Sequence, residues 1–154
     1  MKSLSNDGSY EAQNPQFFAP DRLVFLDGAL QSRRTGDAAY HEALVHPAMF
    51  AHDNPKRVAI IGGGEGATLR EVLKHDTVET VVMIEIDEMM VEVSRKYIPE
   101  WSDCSNIAGS RDSCIDDPRA QMYFEDALKW FEDRFGANST IKEEPFDVII
   151  MDAL

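Results

Sequence analysis

The chain has 154 residues and a hydrophobic content of 44%, which suits about one globular domain of ordinary size. No apolar run approaches the roughly 20 residues of a membrane span, and residues 1–16 lack the apolar core of a secretory signal. We therefore expect no membrane partner and a cytoplasmic location. The formal net charge of −13 argues against nucleic acid as a partner and favours a cationic one.

The N-terminal third is predicted to hold a disordered lead-in over residues 1–16, followed by a β element and a linking helix over residues 17–53. A short β-rich run at 22–26 meets the turn dipeptide Asp27-Gly28, and residues 29–33 form the returning strand of a hairpin. The helix is predicted over 38–50, with Asp37 as its N-cap. Pro47 should end or kink it near His46, because proline has no amide hydrogen to donate.

Residues 54–154 alternate between strand and helix patterns, which indicates an α/β domain with parallel strands. Right-handed crossovers place the fourth strand beside the first, and its continuous apolar sequence predicts burial on both faces. The polar residues 102–119 show no periodicity and are expected to form a surface excursion. The predicted strands are 58–61, 81–86, 121–124 and 146–151, and the predicted helices are 67–75, 88–97 and 127–135.

A glycine cluster, GGGEG at 62–66, joins the first of these strands to its helix, and the second strand ends at Glu85. The order strand, glycine turn, helix, strand and acid is typical of nucleoside-binding α/β folds. Gly62 and Gly64 would let the backbone approach the ligand. Glu85 would accept hydrogen bonds from the ribose hydroxyls.

Glu65 places a negative charge inside the turn that normally receives negative ligand groups. A pyrophosphate there would be repelled by several kcal/mol, roughly, in a partly desolvated site, so a dinucleotide is disfavoured. The carboxylate of S-adenosylmethionine meets the same objection. The ligand that fits best carries adenosine at one end and an ammonium group at the other, as decarboxylated S-adenosylmethionine does. Asp152 follows the fourth strand and should face Glu65 across the crevice.

The cysteines and histidines give no sign of a metal site. Cys104 and Cys114 lack a CxxC spacing and are predicted to be free thiols, with a disulfide as the open alternative. The spacing of His41, His46 and His52 does not converge on a metal ion.

Several motifs together resemble the aminopropyltransferases, the family of spermidine, spermine and thermospermine synthases. The resemblance covers roughly residues 22–154 and implies a Rossmann-like, methyltransferase-type doubly wound sheet behind a small N-terminal β-hairpin. The glutamate at position 65 resembles the thermospermine synthase branch and some bacterial members. The motifs, in the family's order, are LDGALQ at 26–31, YHE at 40–42, GGGEG at 62–66, EID at 85–87, EDA at 125–127 and DA at 152–153.

The resemblance implies transfer of an aminopropyl group from decarboxylated S-adenosylmethionine, a co-substrate, to putrescine or spermidine, with no separate cofactor. It also implies a homo-oligomer for the full-length relative. Taken without the family, Asp126 is equally well explained as a helix cap. The implied contacts are Gln31, Glu85, Asp126 and the Ala127 backbone with the donor nucleoside, Glu65 with the aminopropyl ammonium, Tyr40 and His41 with the amine, and Asp152 with the departing proton.

The family pattern continues as D-x-x-D after the fourth strand, whereas this sequence stops before the second aspartate. We therefore expect an incomplete sheet and a C-terminally truncated member that is inactive alone. Two alternatives stay open: a small-molecule methyltransferase of the same fold that uses S-adenosylmethionine, and a non-catalytic fragment.

Overall fold

A computed structural model describes residues 21–153. The predicted lead-in at 1–16 lies outside the described residues. The chain divides into two compact units between Thr35 and Gly36, so the helix that the sequence groups with residues 17–53 belongs to the α/β unit. No helix among the described residues is both long and apolar enough to span a bilayer.

The first unit contains the predicted hairpin. Its strands are β1 (Leu23–Leu26) and β2 (Ala29–Arg33), which pair antiparallel with Leu26 opposite Ala29. Asp27 and Gly28 form the turn, and both have positive φ angles, 50° and 82°, as tight hairpin turns require.

The second unit is an α/β layer structure with a four-stranded parallel sheet in the order β5-β4-β3-β6. The fourth strand of this unit lies beside its first, as predicted. One face of the sheet packs against α1, α2 and α3, and the other packs against α4. The elements are α1 (Asp37–Ala51), β3 (Arg57–Gly62), α2 (Ala67–Leu73), β4 (Thr80–Glu85), α3 (Glu88–Tyr97), β5 (Ala120–Phe124), α4 (Ala127–Phe135) and β6 (Val148–Asp152).

Helix α1 differs from its prediction at both ends. It runs through Pro47 to Ala51, because Val45 and Met49 on either side of the proline are buried in the core. Packing of that apolar face compensates for one missing backbone hydrogen bond. Gly36 occupies the N-cap position, and Asp37 is the first helical residue rather than the cap.

The polar segment 102–119 lies largely at the surface, as predicted, and a few buried residues tie it to the core. Cys104 and Cys114 form a disulfide with a Cα–Cα distance of 5.1 Å, so the prediction of free thiols is wrong and the alternative is correct. Both sulfur-bearing residues are fully buried, and Ile115 packs beside them. The hydrogen bond from the Cys104 amide to the Asp112 carbonyl, 2.8 Å long, holds the two arms of this loop together.

Strand β6 alternates between buried and exposed residues among those described. Val148 and Ile150 face the core, whereas Ile149 is 53% and Met151 65% exposed. Among the described residues only one face of β6 is buried, because α4 packs against β4 on the other side of the sheet.

Candidate active site

The glycine turn lies where the carboxyl ends of β3 and β6 meet. Gly62 is paired with Asp152 in the parallel register of these strands. A side chain on Gly62 would place its Cβ 2.4 Å from the Asp152 carbonyl oxygen, and the φ angle of 82° also favours glycine. The absence of a side chain at position 62 thus allows β6 to bring Asp152 directly against the turn.

The Asp152 carboxylate is oriented by two hydroxyl groups. Thr68 Oγ1 donates to Asp152 Oδ2 at 2.6 Å, and the Tyr40 hydroxyl lies 3.4 Å from Oδ1. Burial raises the pKa of Asp152 and the nearby charge of Glu65 acts in the same direction, outweighing the opposing effects of Thr68 and His41. A carboxylate with a raised pKa is a better proton acceptor than an ordinary aspartate.

His41 is held between two oxygen atoms and is only 1% exposed. Its Nδ1 lies 2.7 Å from the Asp37 carbonyl oxygen, and its Nε2 lies 3.2 Å from Glu65 Oε1. Burial alone lowers the pKa of His41, but the bonds to Glu65 and Asp37 and the nearby carboxylate charges outweigh it and raise that pKa. The geometry favours an imidazolium that donates to both oxygens.

Glu65 and Asp152 approach each other through this histidine. The imidazole Nε2 is 4.0 Å from Asp152 Oδ2, and the ligand atoms of all three side chains lie within 4.8 Å of one another. The expected pair of carboxylates across the crevice is thus present, and the ring between them, when protonated, reduces their repulsion. Tyr40 stands beside the ring, with a centroid distance of 4.9 Å. Burial and the Asp152 charge raise the pKa of Tyr40, so its hydroxyl stays protonated as a donor.

Glu85 closes the other side of the glycine turn. A Cβ on Gly64 would lie 3.0 Å from Glu85 Oε2, so a side chain there would crowd the carboxylate. Oε1 accepts a 3.0 Å hydrogen bond from the Asp87 amide. The residue is 8% exposed. This bond orients the acid beside the turn.

Asp126 and Ala127 lie at the same edge of the sheet, because β5 pairs with β4 in parallel register. The Asp126 side chain accepts a 3.0 Å hydrogen bond from the Lys129 amide and caps α4. The helix-cap explanation of Asp126 from the sequence is therefore correct. Gln31 lies in β2 of the hairpin unit, and its contact with the donor stays a prediction.

The structure adds residues that sequence reasoning missed. Thr68 lies in the first turn of α2. Its position just after the last glycine of the turn is the sequence feature that could have indicated it as a site residue. Arg70 joins α2 to α1 by donating to Asp37 Oδ2 at 3.0 Å. It also donates to the Trp101 carbonyl oxygen at 2.9 Å. No sequence pattern pointed to these contacts, which fix the segment that carries His41.

Residues 37–154 match the family model described as "Spermine/spermidine synthase domain". The chain belongs to the spermine/spermidine synthase family. It is 48% identical over 131 residues to polyamine aminopropyltransferase 1 of Hyperthermus butylicus, with 85% of this chain and 40% of the relative covered. It is 46% identical over 132 residues to polyamine aminopropyltransferase of Thermococcus onnurineus, with 86% and 40% covered.

Solved structures of the family have the same fold. Spermidine synthase from Thermotoga maritima superposes with a TM-score of 0.70 at 39% identity, over 86% of this chain and 40% of that one. A spermidine synthase in complex with the transition-state analogue AdoDATO gives a TM-score of 0.71 at 39% identity, over 86% and 39%. The likeness confirms the Rossmann-like fold class, and the chain spans about 40% of the length of these relatives.

Proposed function

We propose that this chain contributes the donor site and the proton acceptor for aminopropyl transfer from decarboxylated S-adenosylmethionine to a polyamine acceptor, putrescine or spermidine. The observation that carries the proposal is the buried Asp152 carboxylate, oriented by Thr68 and Tyr40 at the glycine turn. Its family relatives are named polyamine aminopropyltransferases, which supports this choice.

In the proposed reaction the bonds form and break between the two substrates, and the protein itself makes no covalent bond to either. The lone pair of a neutral primary amine attacks the methylene carbon next to the sulfonium, a C–N bond forms, and the C–S bond breaks. Methylthioadenosine leaves with the former C–S electron pair, and the nitrogen loses one proton. Asp152 would accept that proton, either directly or through another group that contacts the amine. The enzyme's remaining task is to hold two cationic substrates close together.

The carboxylates suit that task. Glu65 would face the aminopropyl ammonium and Glu85 the ribose hydroxyls, with Asp126 and the Ala127 backbone near the adenine. Tyr40 and His41 would line the amine side. The resemblance of Glu65 to the thermospermine synthase branch, the cytoplasmic location and a homo-oligomeric full-length assembly stay predictions.

The proposal is tested by comparing donor affinities by calorimetry. Decarboxylated S-adenosylmethionine should bind more tightly than S-adenosylmethionine by about 1–3 kcal/mol, the scale of one hydrogen-bonded charge contact. Glu65→Gln should narrow that gap. The matched control is Glu79→Gln, since Glu79 is exposed and pairs with Lys56 at the opposite end of β4.

Turnover is measured as methylthioadenosine release with putrescine or spermidine. Tighter binding of S-adenosylmethionine, with methyl transfer, would instead identify a methyltransferase of the same fold. Nucleoside binding without turnover by the chain would support the non-catalytic alternative.

A further inference from the structure

We propose that His41, Glu65 and Asp152 form a binding site for a divalent transition-metal ion such as Zn²⁺, and that this ion competes with the acceptor amine. The second half of the statement rests on the proposed function, whereas metal binding itself does not. The inferred ion is an inhibitor of the site rather than its cofactor.

The separations of the three side chains suit a small tetrahedral ion. Zinc bonds of about 2.0–2.1 Å place neighbouring ligand atoms about 3.3 Å apart. His41 Nε2 and Glu65 Oε1 are already 3.2 Å apart. The distance from Nε2 to Asp152 Oδ2 is 4.0 Å, and the three ligand atoms all lie within 4.8 Å of one another. The two carboxylate oxygens would therefore move closer by up to about 1.5 Å to share one tetrahedral shell with the ring nitrogen.

The histidine is oriented as metal-binding histidines are. Its Nδ1 donates to the Asp37 carbonyl oxygen over 2.7 Å, which leaves Nε2 directed at the two carboxylates. Such a second contact fixes the ring and raises the basicity of the ligating nitrogen. An incoming ion would replace the Nε2 hydrogen, and the Asp37 bond would persist. Thr68 similarly holds Asp152 Oδ2 at 2.6 Å.

The ligand types select the ion. One imidazole nitrogen and two carboxylate oxygens suit Zn²⁺ or Co²⁺, whereas Mg²⁺ prefers six oxygen ligands. Three protein ligands leave a fourth position open. Because the ion would engage both Glu65 and Asp152, those carboxylates would no longer be free to hold a cationic amine.

The first experiment titrates the oxidised, chelator-stripped chain with Zn²⁺ by calorimetry and with Co²⁺ by visible absorption. The disulfide keeps Cys104 and Cys114 from acting as thiolate ligands. We expect one ion per chain and the absorption of tetrahedral Co²⁺. Glu65→Gln and Asp152→Asn should each weaken binding more than about tenfold, because even the loss of a group that only orients a ligand costs about ten- to a hundredfold. Circular dichroism checks that each variant is folded.

The matched control is His75→Gln, because His75 Nε2 lies 3.0 Å from His46 Nδ1 in a separate histidine pair. Binding should be unchanged in that variant. Equal binding in wild type, Glu65→Gln and Asp152→Asn, or loss of binding only in His75→Gln, overturns the site. This titration contains neither donor nor amine, so it decides the metal question even if the chain transfers no aminopropyl group.

The second experiment repeats the Co²⁺ titration with increasing putrescine, after a blank of putrescine with Co²⁺ alone. If the two sites overlap, the apparent Kd of the metal should rise in proportion to the putrescine concentration once that concentration exceeds the Kd of putrescine itself. A Kd that does not change at saturating putrescine overturns the overlap of the two sites.

Discussion

Thr68 donates its hydroxyl hydrogen to Asp152 Oδ2 over 2.6 Å and thereby ties the first turn of α2 to the end of β6. The two residues are 84 positions apart in sequence. The bond orients the carboxylate that the proposed chemistry uses as a proton acceptor. It also partly offsets the burial that raises the Asp152 pKa.

Replacement of Thr68 by valine keeps the shape of the side chain and removes this donor. We expect turnover in an active form of the enzyme to fall about ten- to a hundredfold, because a hydrogen bond to a charged group contributes roughly 1.5–3 kcal/mol. Thr68→Ser retains the hydroxyl and is the control. Steady-state methylthioadenosine release measures the effect, and equal rates in Thr68→Val and wild type would show that the bond has no catalytic role.

Glu85 is predicted to carry much of the affinity for the nucleoside. Glu85→Gln should weaken methylthioadenosine binding about tenfold or more, since charge-assisted bonds to ribose hydroxyls become neutral ones. Glu92→Gln on the exposed side of α3 is the matched control. Calorimetric titration measures both, and unchanged affinity in Glu85→Gln would remove this residue from the site.

The Cys104–Cys114 disulfide should stabilise the fold. Its two cysteines are separated by 10 positions, and loop-closure entropy for a ring of that size is worth about 3 kcal/mol. The double variant Cys104→Ser/Cys114→Ser should therefore unfold at a lower urea concentration. Reductant should lower the midpoint of the wild type and leave that of the double variant unchanged; a reductant-insensitive wild type contradicts the prediction.

Glu71 links stability to pH. It is fully buried and accepts hydrogen bonds from Lys74 at 2.6 Å and Arg70 at 2.8 Å. Burial alone raises the pKa of Glu71, but these cations outweigh it and lower that pKa below its ordinary value of 4.5. The stabilisation is thus complete above about pH 4.5 and is lost as the pH falls through the lower, folded-state pKa.

Glu71→Gln should remove this contribution and flatten the dependence of the melting temperature on pH in the acid range. The exposed Glu79 supplies the control, because Glu79→Gln should leave the slope nearly unchanged. Thermal melts across the acid range provide the measurement. Parallel melting curves for wild type and Glu71→Gln would contradict the assigned ion pairs.

The elements governed by local sequence were predictable. Helices α3 and α4 have the predicted bounds, since each begins after an aspartate that caps it and has one apolar face. The glycine turn, Glu85 and the order of the strands followed from the α/β pattern, and the comparisons confirm the family that the motifs resemble.

The remaining differences come from contacts distant in sequence. Helix α1 persists through Pro47 because the sheet packs against it, and no local rule reports that packing. The pairing of Cys104 with Cys114 depends on how the arms of the loop meet. The contact of His41 with Glu65 arises from the docking of α1 beside the glycine turn and α2, whereas its contact with the Asp37 carbonyl lies within α1 itself.

The long sequence separations at the site have a consequence for how it forms during synthesis. Asp152 meets Tyr40 and Thr68 across 112 and 84 residues, so its strand leaves the ribosome after β3, β4 and β5. Contacts between residues so far apart in sequence form slowly, because the chain loses the entropy of closing a long loop before the contact stabilises it. An emerging chain can therefore pair β3 with β4 early, whereas the reactive carboxylate acquires its hydroxyl partners only when β6 docks. A nascent chain would thus form the glycine turn proposed to bind the nucleoside before Asp152, the proposed proton acceptor, reaches its place.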